Sequence, residues 1–89
     1  MKIAYLEKCI PGENQYRYYS IYIARTLFGH WALVREWGRI GSKGGQRQEE
    51  WYEKETEALA AGLQYMKVKK KRGYAASKSN KYFKTKKSI

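Results

Sequence analysis

Two long alternating stretches separated by a single turn constrain this chain more than anything else in it. Residues 16–25 are rich in Tyr and Ile and contain neither Gly nor Pro. Read with a period of two, Tyr16, Tyr18, Ser20, Tyr22 and Ala24 share one face, and Arg17, Tyr19, Ile21, Ile23 and Arg25 share the other. Phe28-Gly29-His30 reads as a hairpin turn, after which Trp31, Leu33, Arg35 and Trp37 alternate with Ala32, Val34, Glu36 and Gly38. Two such runs, so close in sequence, predict an antiparallel strand pair. Both faces are partly apolar, so neither is simply solvated.

The flanking segments extend this pair into a small sheet with a helix. Residues 2–7 have strand character, and Pro11-Gly12-Glu13-Asn14 supplies a turn. Gly41-Ser42-Lys43-Gly44-Gly45 breaks the second run, and residues 46–52 offer a further strand whose polar members mark it as an edge. From about Lys54 the period becomes helical, with Ala58, Leu59, Gly62, Leu63 and Met66 forming an apolar stripe that must pack on the sheet. Glu53, Glu55 and Glu57 near the start and the cations of residues 67–72 near the end complement the helix dipole, and Gly73 is a candidate C-cap. Thr56 is the one conventional N-cap candidate, and it lacks a Glu or Gln three residues on. The expected fold is α+β: a single small domain, a twisted antiparallel sheet of about four strands with one helix across it, over residues 1–76. Residues 77–89 read as a Lys-rich tail.

At 89 residues the chain holds one domain, and a domain this small buries only about 60% of the surface of its unfolded chain, which argues against a deep catalytic cleft. Its 43% hydrophobic and 16% aromatic content is too high for a disordered chain. No stretch reads as a signal peptide or a membrane span, so the expectation is a soluble, cytoplasmic protein with no membrane partner. Cys9 is the sole cysteine, which rules out an internal disulfide; it reads as a small half-buried residue ending the first strand. The net charge of +11 points to a polyanionic partner, and its distribution is uneven. Residues 1–57 carry nine Lys/Arg against all eight Asp/Glu, whereas residues 58–89 carry ten Lys/Arg and no acid.

The most distinctive motif is Trp37-Gly38-Arg39-Ile40-Gly41, which places a large π-face and a planar cation on either side of a residue with no side chain. It resembles the signature of the WGR domain, a small module of DNA-damage-dependent poly(ADP-ribose) polymerases and of short bacterial proteins. Arg17-Tyr18-Tyr19-Ser20-Ile21-Tyr22-Ile23 resembles the family's first core strand. Gly44-Gly45-Gln46, with one extra glycine, resembles the Gly-Gln that closes the loop after the signature. Residues 58–66, Lys71 and Gly73-Tyr74 are similar to the helix and the Lys…Gly-Tyr close of the bacterial members. The resemblance implies an antiparallel sheet with one helix, no catalysis, and a role in binding DNA ends or protein surfaces. In the polymerases the signature Trp stacks on the terminal nucleotide at a break and the Arg supports it; these roles fall on Trp37 and Arg39, with Arg17 approaching the phosphate backbone.

Each of these residues also has a plainer reading. Trp37 could be a core residue ending a strand, and Arg39 could tie the loop to Glu36 or Glu50. Arg35, Arg47 and Lys43 read as solvated charges that position alone makes phosphate-contact candidates. The loop at residues 38–45 lacks the Gly-Lys-Ser/Thr order of a P-loop, Ser42 has no evident base, His30 lies in a turn, and no carboxylate pair has enzyme logic, so the chain reads as a non-enzyme without cofactor or metal. The cations of residues 67–87, Lys69, Lys70, Lys71 and Arg72 among them, form a candidate electrostatic clamp with Tyr74, Tyr82 and Phe83 interleaved. The leading reading is a nucleic-acid-binding module for DNA ends or nicks, with candidate contacts Trp37, Gly38, Arg39, Arg17, Lys43, Lys69, Lys70, Lys71 and Arg72. A protein-interaction adaptor using the Tyr-rich sheet face or the signature loop is the alternative, and an RNA-binding role is a third. The edge strand leaves the oligomeric state open.

Overall fold

A computed structural model of the chain describes residues 1–76, so the Lys-rich tail of residues 77–89, with Tyr82 and Phe83, lies outside the described residues. The chain runs β1 (Lys2–Ile10), a 3-10 turn (Pro11–Glu13), β2 (Gln15–Arg25), β3 (Trp31–Arg39), β4 (Gly45–Tyr52), α1 (Glu55–Lys71) and β5 (Ala75–Ala76). One antiparallel sheet holds all five strands in the order β4-β3-β2-β1-β5. The fold is α+β with a single helix across the sheet, as the periodicity predicts. The fifth strand is the difference, because two alanines carry no alternation that could announce a strand. β1 also runs three residues past residue 7; Cys9 lies next to its end, opposite Tyr16, and is exposed rather than half-buried.

The central hairpin pairs without a break from Arg17 opposite Arg39 to Arg25 opposite Trp31. This register puts Tyr19, Ile21, Ile23 and Leu33 on the face under α1, where each is no more than 2% exposed. Leu6 from β1 and Ala58 from α1 complete the buried cluster. Burying such side chains is worth about 1.5–3 kcal/mol each for the larger aliphatics, the main reason the sheet and helix stay together. α1 touches all four long strands. A Cβ added at Gly62 would lie 2.5 Å from Ile3 Cδ1 and 3.1 Å from Leu33 Cδ1, so the glycine lets the helix settle close to the sheet.

The packed face of α1 differs from the expected stripe. Ala58, Ala61, Gly62, Tyr65 and Met66 face the sheet, Leu59 is half-buried, and Leu63 is exposed. A true 3.6-residue repeat passes through positions 58, 61, 62, 65 and 66, and the apolar side chain at 63 falls outside it. The N-cap is Lys54 rather than Thr56: its backbone N–H donates to the Glu57 carboxylate at 3.2 Å. At the other end Arg72 is the C-cap and Gly73 follows it with φ +101°. Gly73 N–H donates to Lys70 O and Tyr74 N–H to Lys69 O, at 3.2 and 3.1 Å, the paired bonds of a Schellman motif.

Candidate nucleic-acid interface

The end of the sheet where β2 begins and β3 ends carries a cleft of 330 Å³ lined by Arg17, Trp37, Gly38, Arg39 and Tyr74. Strand pairing explains the grouping. Arg17 stands opposite Arg39 and Tyr19 opposite Trp37, all on the face that α1 covers, while the helix stops short of this end and leaves it open. The Schellman turn then folds the chain back so that Tyr74 reaches the same place, its ring 6.1 Å from Tyr19. Tyr74, expected among the aromatic groups of the basic C-terminal segment and not beside the signature, is a wall of this cleft. The Gly-Tyr pair after the helix is its sequence signal, since the glycine permits the reversal that carries the tyrosine there.

Trp37 is half-buried, with the Tyr19 ring at 5.9 Å and 27° and the Arg35 guanidinium 5.8 Å from its centroid. The two plain readings of this residue therefore meet: it packs against the core and also faces the cleft. Arg39 is exposed; its guanidinium donates to Asn14 O at 3.3 Å and Asn14 Oδ1 at 3.4 Å and lies 5.6 Å over the Tyr16 ring. The expected tie to Glu36 or Glu50 is absent among the described residues; the β1–β2 turn occupies that role, because Asn14 in the left-handed region (φ 54°) turns its carbonyl and amide towards the strand end. Gly38 faces Gly45 across the strands, and a Cβ on Gly38 would lie 3.2 Å from Gly45 Cα and 3.3 Å from Tyr18 Cε1. The room that the signature glycine leaves is filled by Gly45 and the Tyr18 ring.

Cations gather at this cleft without acids. Lys69 Nζ sits 4.8 Å from the Tyr19 centroid and 5.5 Å from that of Tyr74, and Lys8 Nζ lies 5.9 Å from Tyr74. Burial, then repulsion from Arg72, Arg35, Arg17 and Lys8, pushes the Lys69 ammonium below its usual value. Among the described residues the ion pairs are those of Arg47, to Glu36 at 3.8 Å and Glu49 at 2.7 Å, on the opposite face of the sheet. An ammonium held among other cations in this way is stabilised by an incoming anion.

Other candidates lie elsewhere. Lys43 is exposed in the loop between β3 and β4, where Ser42 Oγ donates to Gly44 O at 2.8 Å, and it does not line the cleft. Lys70 borders a separate hollow of 210 Å³ with Ile3, Ala4, Tyr5, Leu6, Met66 and Ala76, and Lys71 points into solvent from the last helical turn. Arg35 is not the solvated charge expected of it. It lies 3.9 Å from the Tyr65 centroid, donates to Tyr19 Oη at 3.4 Å and to Gln48 Oε1, and keeps a buried Nε without a partner. Tyr65 in turn donates to Glu50 at 3.0 Å, and burial followed by that bond holds its phenol above the usual range. This chain of contacts from Glu50 to Trp37 braces the cleft from beneath. It escapes a reading of the sequence because it joins β3, β4 and α1.

Among the described residues no three His, Cys, Asp or Glu side chains converge to hold a metal, and no helix is long and apolar enough to cross a membrane. The chain is similar to an uncharacterized protein, y4dW, of Sinorhizobium fredii, with 41% identity over 70 residues covering 79% of this chain. It spans about a third of that relative's length, 34%. No solved structure matches the chain. The model of the WGR domain matches residues 2–86, and the chain belongs to that family.

Proposed function

We propose that this WGR domain is a non-catalytic nucleic-acid-binding module that engages DNA ends or nicks through the cleft between β2, β3 and Tyr74. The observation that carries this reading is the cleft itself: Trp37 and Tyr74 form its aromatic walls, and Arg17 and Arg39, with Lys8 and Lys69 behind them, form its cationic rim with no acid among them. An aromatic ring at the end of a sheet can stack on a terminal base or sugar only where the duplex stops, so a break offers what an intact helix hides. The cations meet backbone phosphate regardless of sequence. The use of WGR modules at DNA breaks in poly(ADP-ribose) polymerases supports the same reading. Lys70, Lys71, Arg72 and Lys43 then add affinity from outside the cleft, as does the tail of residues 77–89.

The test is a fluorescence titration of the full chain with blunt-ended duplex and with closed circular DNA of equal base composition. Tighter binding to the ended duplex, lost in Trp37→Ala, supports the reading. Equal affinities that Trp37→Ala leaves unchanged overturn it, and preference for single-stranded RNA would move the module to another nucleic acid.

A protein adaptor is the second reading, favoured by the far end of the same sheet. There Leu27 is 99% and Phe28 76% exposed at the hairpin tip, beside Trp51 with its ring 6.2 Å from Phe28. This patch lies at the opposite end of β3 from the cleft, so Phe28→Ser separates the two functions: it removes a protein contact and leaves DNA binding intact.

A further inference from the structure

The two edges of the sheet differ. β5 closes one edge with two residues, whereas β4 presents eight residues at the other and pairs with β3 along its whole length without a bulge. Folded proteins blunt long edges with prolines, bulges or charged side chains, lysine above all, because an open ladder pairs with any strand that fits. β4 has no proline, and its charges are of both signs: Gly45-Gln46-Arg47-Gln48-Glu49-Glu50-Trp51-Tyr52. Among the described residues nothing pairs with its outer edge.

We propose that β4 pairs antiparallel with β4 of a second copy of this chain, about a twofold axis at Gln48, to form one continuous sheet. The register follows from charge. With the axis perpendicular to the sheet, opposed residues share a face. Centring on Gln48 places Arg47 opposite Glu49 of the other copy, twice by symmetry. It also places the Gln46 amide opposite the Glu50 carboxylate and the half-exposed Trp51 ring opposite Gly45, where it covers bare backbone. The two neighbouring registers that preserve the faces set either Arg47 against Arg47 or Glu49 against Glu49, and each is repelled. Arg47 and Glu49 already touch within one strand, so the pair becomes a four-charge network across the axis. The charge of the cationic cleft does not oppose the association, since the cleft lies at the Gly45 end of β4, which the symmetry sends to opposite ends of the joint sheet.

Sedimentation equilibrium of the full chain carrying Cys9→Ser tests the proposal over a concentration series, with circular dichroism to confirm folding. A reversible dimer is expected. Arg47→Glu and Glu49→Arg each weaken it by about tenfold or more, and the double exchange restores it. Under mild oxidation, Gln48→Cys cross-links two copies, whereas the thiols introduced by Gln46→Cys stand roughly 13 Å apart along the strands and do not. A chain that stays monomeric throughout, single exchanges without effect, or cross-linking through position 46 instead of 48 would each overturn it.

Discussion

Trp37 has the Tyr19 ring and the Arg35 guanidinium at its sides and the cleft before it, so an alanine there removes a stacking surface while the arginines around it remain. Trp37→Ala should weaken binding to an ended duplex by about 1–3 kcal/mol, measured by fluorescence anisotropy, and leave affinity for closed circular DNA unchanged. Trp37→Phe should retain part of the difference. Lys69 makes a separate residue-scale prediction. Its lowered pKa means that the folded state disfavours the charged amine, so stability rises as pH climbs through the folded value towards the unfolded 10.5, while attraction for an anion is lost over the same window. At mildly alkaline pH, Lys69 should therefore be the lysine of the described residues most readily modified by reductive methylation, read by mass spectrometry. Bound DNA should protect it by returning the proton.

Two elements hold the cleft in shape. The Schellman turn after α1 fixes Tyr74, and Gly73 adopts φ +101° there, a conformation that a side chain resists and that would also bring its Cβ to 3.3 Å from Lys8 Cε. Gly73→Ala should cost about 1 kcal/mol of stability, seen as a lower Tm, and should weaken DNA binding beyond that because the tyrosine wall moves. The β3–β4 crossing behaves differently. A Cβ on Gly45 would sit 2.6 Å from Tyr18 Oη and 2.9 Å from the Trp37 carbonyl, and the latter cannot rotate away. Gly45→Ala should destabilise the fold by about 1–3 kcal/mol in chemical denaturation, with Tyr18 and Trp37 both displaced.

For the whole molecule the charge arithmetic assigns different work to different parts. Residues 1–57 are almost neutral, so selectivity belongs to the cleft and much of the attraction to the cations of residues 58–89. If about five cations meet phosphates, log K should fall against log salt with a slope of roughly −4 to −5. A chain ending at Ala76, which keeps β5 and the whole cleft, should show a shallower slope and lower affinity but the same ratio between ended and circular DNA. A chain ending at Tyr74 also removes β5 and mixes the two effects.

The four long strands, the helix and the signature were legible in the sequence because each is written as a local period or a contiguous motif; β5, two alanines long, was not. Alternation over residues 16–25 and 31–38 sets which side chains share a face, and the register that pairs Arg17 with Arg39 follows once the turn is fixed. Arg17, Trp37, Gly38 and Arg39 were brought together by the resemblance of the signature and the first core strand, and the alternation agrees for Arg17, Trp37 and Arg39. Three further things were not legible. Tyr74 joins the cleft only because the Schellman turn reverses the chain after seventeen helical residues. Arg35 is half-buried because α1 lays Tyr65 over it, and the Lys69 ammonium is disfavoured first by burial and then by Arg72, Arg35, Arg17 and Lys8, which come from four different segments. Local pattern determined the elements and the charge imbalance; burial and electrostatic coupling depend on which surfaces meet, and that was decided by the packing of the helix on the sheet.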